Sequence, residues 1–177
     1  MSHSIDQSEF SRLLLKTVFS FMICDGHIAD KEVAHIKKMA AEGNLFGDIN
    51  IDDELALLID RVNRRNLSFF DDYFKKVGHA QLSEDQEFQI LEAAVQTISS
   101  DQKIKLEEIN FLKILRTKLK SPDQKILEKF PEIGKDFVKK DAFTDIYLDE
   151  LYKNYFTNAS LPTFDVSDVQ DITDDVL

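Results

Sequence analysis

Apolar residues recur at three- and four-residue steps along most of the chain, and residues that cap or end helices interrupt the recurrence at intervals. Ser4-Ile5-Asp6-Gln7 has capping-box spacing, and Phe10, Leu13, Leu14, Thr17, Val18 and Phe21 follow on one face of a first helix that ends near Cys24. Val33, Ile36, Lys37, Met39 and Ala40 predict a second helix, closed by Gly43 and Asn44. Asp52-Asp53-Glu54 places negative charge in the first turn of a third, whose apolar face is Leu55, Leu58, Ile59 and Val62 and whose C-terminal end meets Arg61, Arg64 and Arg65. A fourth helix, capped by Ser68 and stopped at Gly78, carries Phe69, Phe70, Tyr73, Phe74 and Val77, aromatics whose helical spacing marks them as core.

Ser83-Glu84-Asp85-Gln86 is a second capping box, and Phe88, Ile90, Leu91, Ala94, Val95 and Ile98 extend a fifth helix from it. Ile109, Leu112, Leu115 and Leu119 predict a sixth. Ser121-Pro122-Asp123-Gln124 predicts the start of a seventh, with Ser at the cap and Pro at the first helical position. Helical spacing resumes around Ile133 to Val138 and in an aromatic stretch through Tyr147, Leu148, Leu151, Tyr152, Tyr155 and Phe156. From Asn158 the chain turns to Ser, Pro, Asp and small aliphatics with no basic residue, which reads as a mobile tail. Within it, Val166, Val169, Ile172 and Val176 are spaced to form an apolar stripe for a partner surface.

The pattern contains an internal echo. Asp-x-x-Ile-x-x-x-Glu occurs as Asp25, Ile28, Glu32 and again as Asp101, Ile104, Glu108, and Asp25 to Asp101 and Glu32 to Glu108 span the same 76 positions. At that offset Leu14 falls over Ile90, Leu15 over Leu91, Val18 over Ala94, Val33 over Ile109, Ile36 over Leu112 and Met39 over Leu115. A duplicated helix, acidic loop, helix unit is the expectation, with a pseudo-twofold axis that brings four carboxylates together.

Length suits one domain with a core of its own, and 5 Gly and 3 Pro leave few places to break helices, so the expected class is all-α. A formal net charge of −11 without a basic stripe interleaved with aromatics argues against nucleic acid as a direct partner. The single Cys24 lies in the apolar run Phe19-Ser20-Phe21-Met22-Ile23 and reads as a small buried hydrophobe. With no membrane-length apolar run and no basic leader, a reducing, cytoplasmic compartment without membrane insertion is expected.

The acidic loops have two readings. In the structural one, Glu32 and Glu108 stand at the third position of their helices, where a carboxylate meets the positive end of the dipole, and Asp25 and Asp101 make Asx turns. In the other, Asp25, Glu32, Asp101 and Glu108 converge on a divalent cation, Ca²⁺, Mg²⁺ or Mn²⁺, which relieves their mutual repulsion. The residues that would complete a capping box are absent in both copies, since Ala29 and Lys105 occupy those places. An independent calcium loop is not expected, because Phe21 and Ile23 fall where oxygen ligands belong, and Thr97 and Ser99 offer only hydroxyls in the second copy. Glu32 and His35 form a Glu-x-x-His step, but Phe111 stands where a second His would complete a di-iron pair. His27 has no identifiable nucleophile to serve, so no enzymatic activity is expected.

The run Phe21-Met22-Ile23-Cys24-Asp25-Gly26-His27-Ile28-Ala29-Asp30-Lys31-Glu32, with its in-phase second copy, resembles the signature of the TerB-like family, named for a tellurite-resistance protein; the likeness covers roughly Phe10 to Leu127. The resemblance implies an all-helical, internally duplicated domain with acidic residues suggested to bind metal, found in bacterial stress-response and membrane-associated assemblies. Carried onto this chain, the acidic positions are Asp25, Glu32, Asp101 and Glu108; the second copy departs at Gln102, where glycine is expected, and adds Lys103. The combined expectation is a TerB-like bundle of about seven to nine helices over residues 1–157, followed by an acidic tail over 158–177. Its expected role is that of a non-enzymatic scaffold or sensor with protein partners, or else a protein-binding module whose acidic loops are purely structural.

Overall fold

The computed structural model describes residues 5–24, 26–28, 30–43, 46–47, 49–99, 106–131 and 162–165. Among them the chain forms seven helices and no strand: α1 (Gln7–Ile23), α2 (Asp30–Gly43), α3 (Ile51–Arg65), α4 (Ser68–His79), α5 (Glu84–Ser99), α6 (Leu106–Thr117) and α7 (Asp123–Lys129). The helical stretches expected beyond Pro131 and the stripe from Val166 to Val176 lie outside the described residues.

α1 and α5 form the most extensive helix–helix interface, and α3 and α4 pack on α1 while α2 packs on α5. The composition of α1 explains its central place: twelve of its residues, from Phe10 to Ile23, are buried, so it is apolar around most of its circumference rather than along one stripe. α5 buries Ile90, Leu91, Ala93, Ala94, Val95 and Ile98, with small alanines among larger aliphatics. α3 buries only Leu55, Leu58, Ile59 and Val62 and keeps acids in its first turn and Arg64 and Arg65 in its last, as an amphipathic outer helix aligned with its dipole should.

The helix starts both follow and depart from the sequence pattern. Ser83 and Gln86 form the reciprocal capping box, Ser83 Oγ accepting from Gln86 N–H at 3.1 Å and Gln86 Oε1 from Ser83 N–H at 2.9 Å. At α1 the cap is Asp6, whose carboxylate accepts from Glu9 N–H at 2.8 Å, in place of the expected Ser4 box. Ser68 is the first residue of α4 rather than its cap; Asn66, in a left-handed conformation with φ 54°, turns the chain, and its side chain accepts from Leu67 N–H at 3.0 Å. α4 runs one residue past Gly78, to His79. Ser121 is not the cap of α7 either: Pro122 holds that position, and the Ser121 hydroxyl donates instead to Glu87 of α5.

The core is aromatic where α1, α4 and α6 meet. Phe111 of α6 is its hub, with ring centroids of Phe21, Phe70 and Phe74 at 4.8, 5.0 and 4.7 Å and that of Tyr73 stacked at 6.3 Å. Edge-to-face arrangements dominate, which sets ring edges against the electron-rich faces. The fully buried Tyr73 hydroxyl lies 2.7 Å from Thr17 Oγ1, so its polar end is partnered inside the bundle. Phe46, between α2 and α3, is also fully buried.

Candidate functional site

Each acidic pattern begins where a core helix ends. α1 stops at Ile23; Cys24 is buried, its thiol donating to Phe21 C=O at 3.2 Å, so it behaves as a small core residue. Gly26 then takes φ 86°, and its N–H donates to Ile23 C=O at 2.8 Å, which closes the helix with a residue free of a Cβ penalty. Ile28 is half-buried against the core, while the His27 side chain is exposed.

Glu32 is the third residue of α2 and Glu108 the third residue of α6, as the sequence predicts, and both are buried, at 7% and 6% exposure. Both carboxylates have interaction partners within the chain. A carboxylate at that position meets the positive end of the helix dipole. The other two candidates, Asp25 and Asp101, lie outside the described residues. Among the described residues no group of three or more His, Cys, Asp and Glu side chains is placed to hold a metal ion, so Glu32 and Glu108 do not by themselves make a cation site.

The alternative ligand patterns resolve into packing. Phe21 and Ile23 are core residues, and the Thr97 hydroxyl donates to Ala93 C=O at 2.7 Å. Phe111, in the place of a second di-iron histidine, is the aromatic hub. His35 has a buried Nε2 without a hydrogen-bond partner, and burial followed by the nearby Lys38 charge lowers its pKa from the usual histidine value.

Two constellations escape the sequence pattern. Glu87, on the inner face of α5, accepts from the N–H groups of Lys120 and Ser121 and from the Ser121 hydroxyl. Arg116 of α6 is fully buried, donating to Leu119 C=O at 3.3 Å and Ser121 C=O at 2.9 Å and pairing with Asp123. Together they hold the turn between α6 and α7 by both its N–H and its C=O groups. The second constellation is at the far end of the chain. Pro162–Asp165 returns to α3, where Phe164 is 6% exposed and its backbone is held by the Asn63 side chain, and Pro162 Cδ lies 3.6 Å from where a Cβ on Gly26 would stand. A lone aromatic between proline and aspartate in a polar tail was the available signal for that anchor.

No family model, no curated protein and no solved structure matches the chain. Among the described residues no helix is long and apolar enough to cross a membrane.

Proposed function

We propose that this chain is a non-enzymatic scaffold or sensor domain, TerB-like in kind and built from two related halves, that works by holding or releasing its C-terminal segment for a protein partner. The observation that carries the reading is the seat of Phe164: its ring is buried and its backbone is clasped by the Asn63 side chain, while Pro162 lies beside Gly26 of the first acidic loop. A short segment seated on the outer helix α3 opens locally at a lower free energy than the α1–α5 core, and a shift of the Gly26 turn changes the surface beside Pro162. Hydrogen exchange on the full chain tests this. Expected is opening of Phe164 well before global unfolding; opening only together with the α1–α5 core means that the segment is a fixed structural strap.

A second reading adds a divalent cation, Ca²⁺, Mg²⁺ or Mn²⁺, at the acidic loops, favoured by the burial of Glu32 and Glu108 at matching third positions. Hard, oxygen-only ligands suit those ions. Thermal melts with each cation and with a chelator decide it. An upward shift that vanishes in the Asp25→Asn/Glu108→Gln double variant supports the site; no shift with any cation leaves the carboxylates as helix-start residues.

A further inference from the structure

We propose that the cleft between α1, α3 and α4 binds a small phosphomonoester that carries a short apolar body. The cleft encloses about 300 Å³ and is lined by Arg12, Lys16, Glu54, Arg61 and Lys76 together with Leu57 and other leucines of α1 and α3. Four cations around one cavity are unexpected in a chain whose formal net charge is −11.

The nearby acids do not account for them. Glu54 is taken by Arg12 at 3.1 Å, and Asp72 of α4 by Arg65 of α3 at 2.6 Å. Among the described residues the side chains of Lys16, Arg61 and Lys76 make no hydrogen bond and no ion pair; Lys16 Nζ lies only over the Phe69 ring, 4.9 Å from its centroid. Among the described residues none of the three is ion-paired with an acid, Asp72 acting on Lys16 without an ion pair, and they come from three helices, α1, α3 and α4. The Lys16 amine is half-buried, and burial, then Lys76 and Arg61, bring its pKa down to about 8. An anion seated among these groups offsets their repulsion, and a dianionic phosphate answers three charges better than a carboxylate does.

The apolar part of the ligand follows from Leu57, which at 50% is the one large hydrophobic exposed among the described residues and stands on the cleft's lining. The site is separate from the C-terminal anchor: Arg61 and Asn63 are two residues apart on α3 and so point to nearly opposite sides of it.

Calorimetric titration of the full chain with phenyl phosphate, and with phenylacetate as a carboxylate of similar body, tests the assignment. Phenyl phosphate is expected to bind saturably, phenylacetate more weakly, and Lys16→Met and Arg61→Gln each to cost about tenfold in affinity, the scale of one charge-assisted hydrogen bond. At a pH just above the Lys16 value, the anion should pull a proton onto the amine, seen as binding heat that varies with buffer ionisation enthalpy in the wild type and not in Lys16→Met. The groups facing that amine are Arg12 of α1, Arg61, Arg65 and Glu54 of α3, and Lys76 and Asp72 of α4. Arg61 is exposed, so Arg61→Gln remains informative even if Lys16→Met does not fold. Absence of saturable heat, unchanged affinity in Arg61→Gln, or phenylacetate binding as tightly as the phosphate overturns the proposal.

Discussion

The Asn63 side-chain amide brackets the backbone of Phe164, accepting from its N–H and donating to its C=O, each at 2.8 Å. This is the pairing one strand gives another, supplied here by a single side chain on a helix. Replacement by alanine leaves both backbone groups without a partner beside a half-closed apolar seat, a cost of about 1–3 kcal/mol. Asn63→Ala is therefore expected to raise exchange at the Phe164 amide by one to two orders of magnitude and to change the melting of the α1–α5 core little. Unchanged exchange at Phe164 shows that the Asn63 clasp does not hold the segment.

Phe111 supports a second prediction. It is fully buried and receives rings from α1 and α4. Phe111→Ala opens a large cavity in the centre of the bundle, at a cost of about 3–5 kcal/mol, or on the order of 10 °C in melting temperature for a chain of this size. Phe111→His is expected to destabilise as well, and adding ferrous or zinc ions should not restore it. Rescue by metal reinstates the Glu-x-x-His reading.

These residues also mark how far the sequence could be read. Periodicity identified the described helices because each buried face is a local property: Leu55, Leu58, Ile59 and Val62 are one stripe whatever they touch. The capping box at Ser83 is equally local. Ser68 and Ser121 failed as caps because competing partners decide their roles, the Asn66 turn for one and Glu87 for the other. Glu87 and Arg116 carry no signal of burial in the local pattern, and only the return of the α6–α7 turn onto α5 makes them buried. Of the candidate site, the third-position placement of Glu32 and Glu108 was legible, since it follows from where the helices start. The cation cluster around Lys16 was not, because Arg12, Arg61 and Lys76 meet only through helix packing.

Glu87 and Arg116 give a third prediction, because they hold the same turn from opposite chemical sides. Glu87→Gln keeps the volume but presents an amide to N–H and O–H donors, for an expected loss of about 2–3 kcal/mol. Arg116→Met strands the Leu119 and Ser121 carbonyls and is expected to cost about 3–5 kcal/mol. Once either is gone the turn has already loosened, so the double variant should fall short of the sum by about 1 kcal/mol or more in a denaturant-melt cycle. Strict additivity means that the two side chains act on independent structures.

Lys16 makes stability depend on pH in a direction opposite to that of an ordinary salt-bridged lysine. Burial, then Lys76 and Arg61, lower its pKa from 10.5 to about 8 in the folded chain, with Asp72 opposing and Arg65 adding to the effect. Below about 8 the amine is charged whether the chain is folded or not, and the full cost of the half-buried charge is present. Between that value and 10.5 the unfolded chain holds a proton that the folded chain has released, so stability rises with pH across this window. Lys16→Met should remove the rise and stabilise the protein at neutral pH by about 1 kcal/mol, after allowing for solvent screening and for the cation–π attraction to Phe69 that methionine does not supply. Denaturant melts of wild type and variant at several pH values across the window measure both effects. A slope that survives in Lys16→Met assigns the pH dependence to other groups.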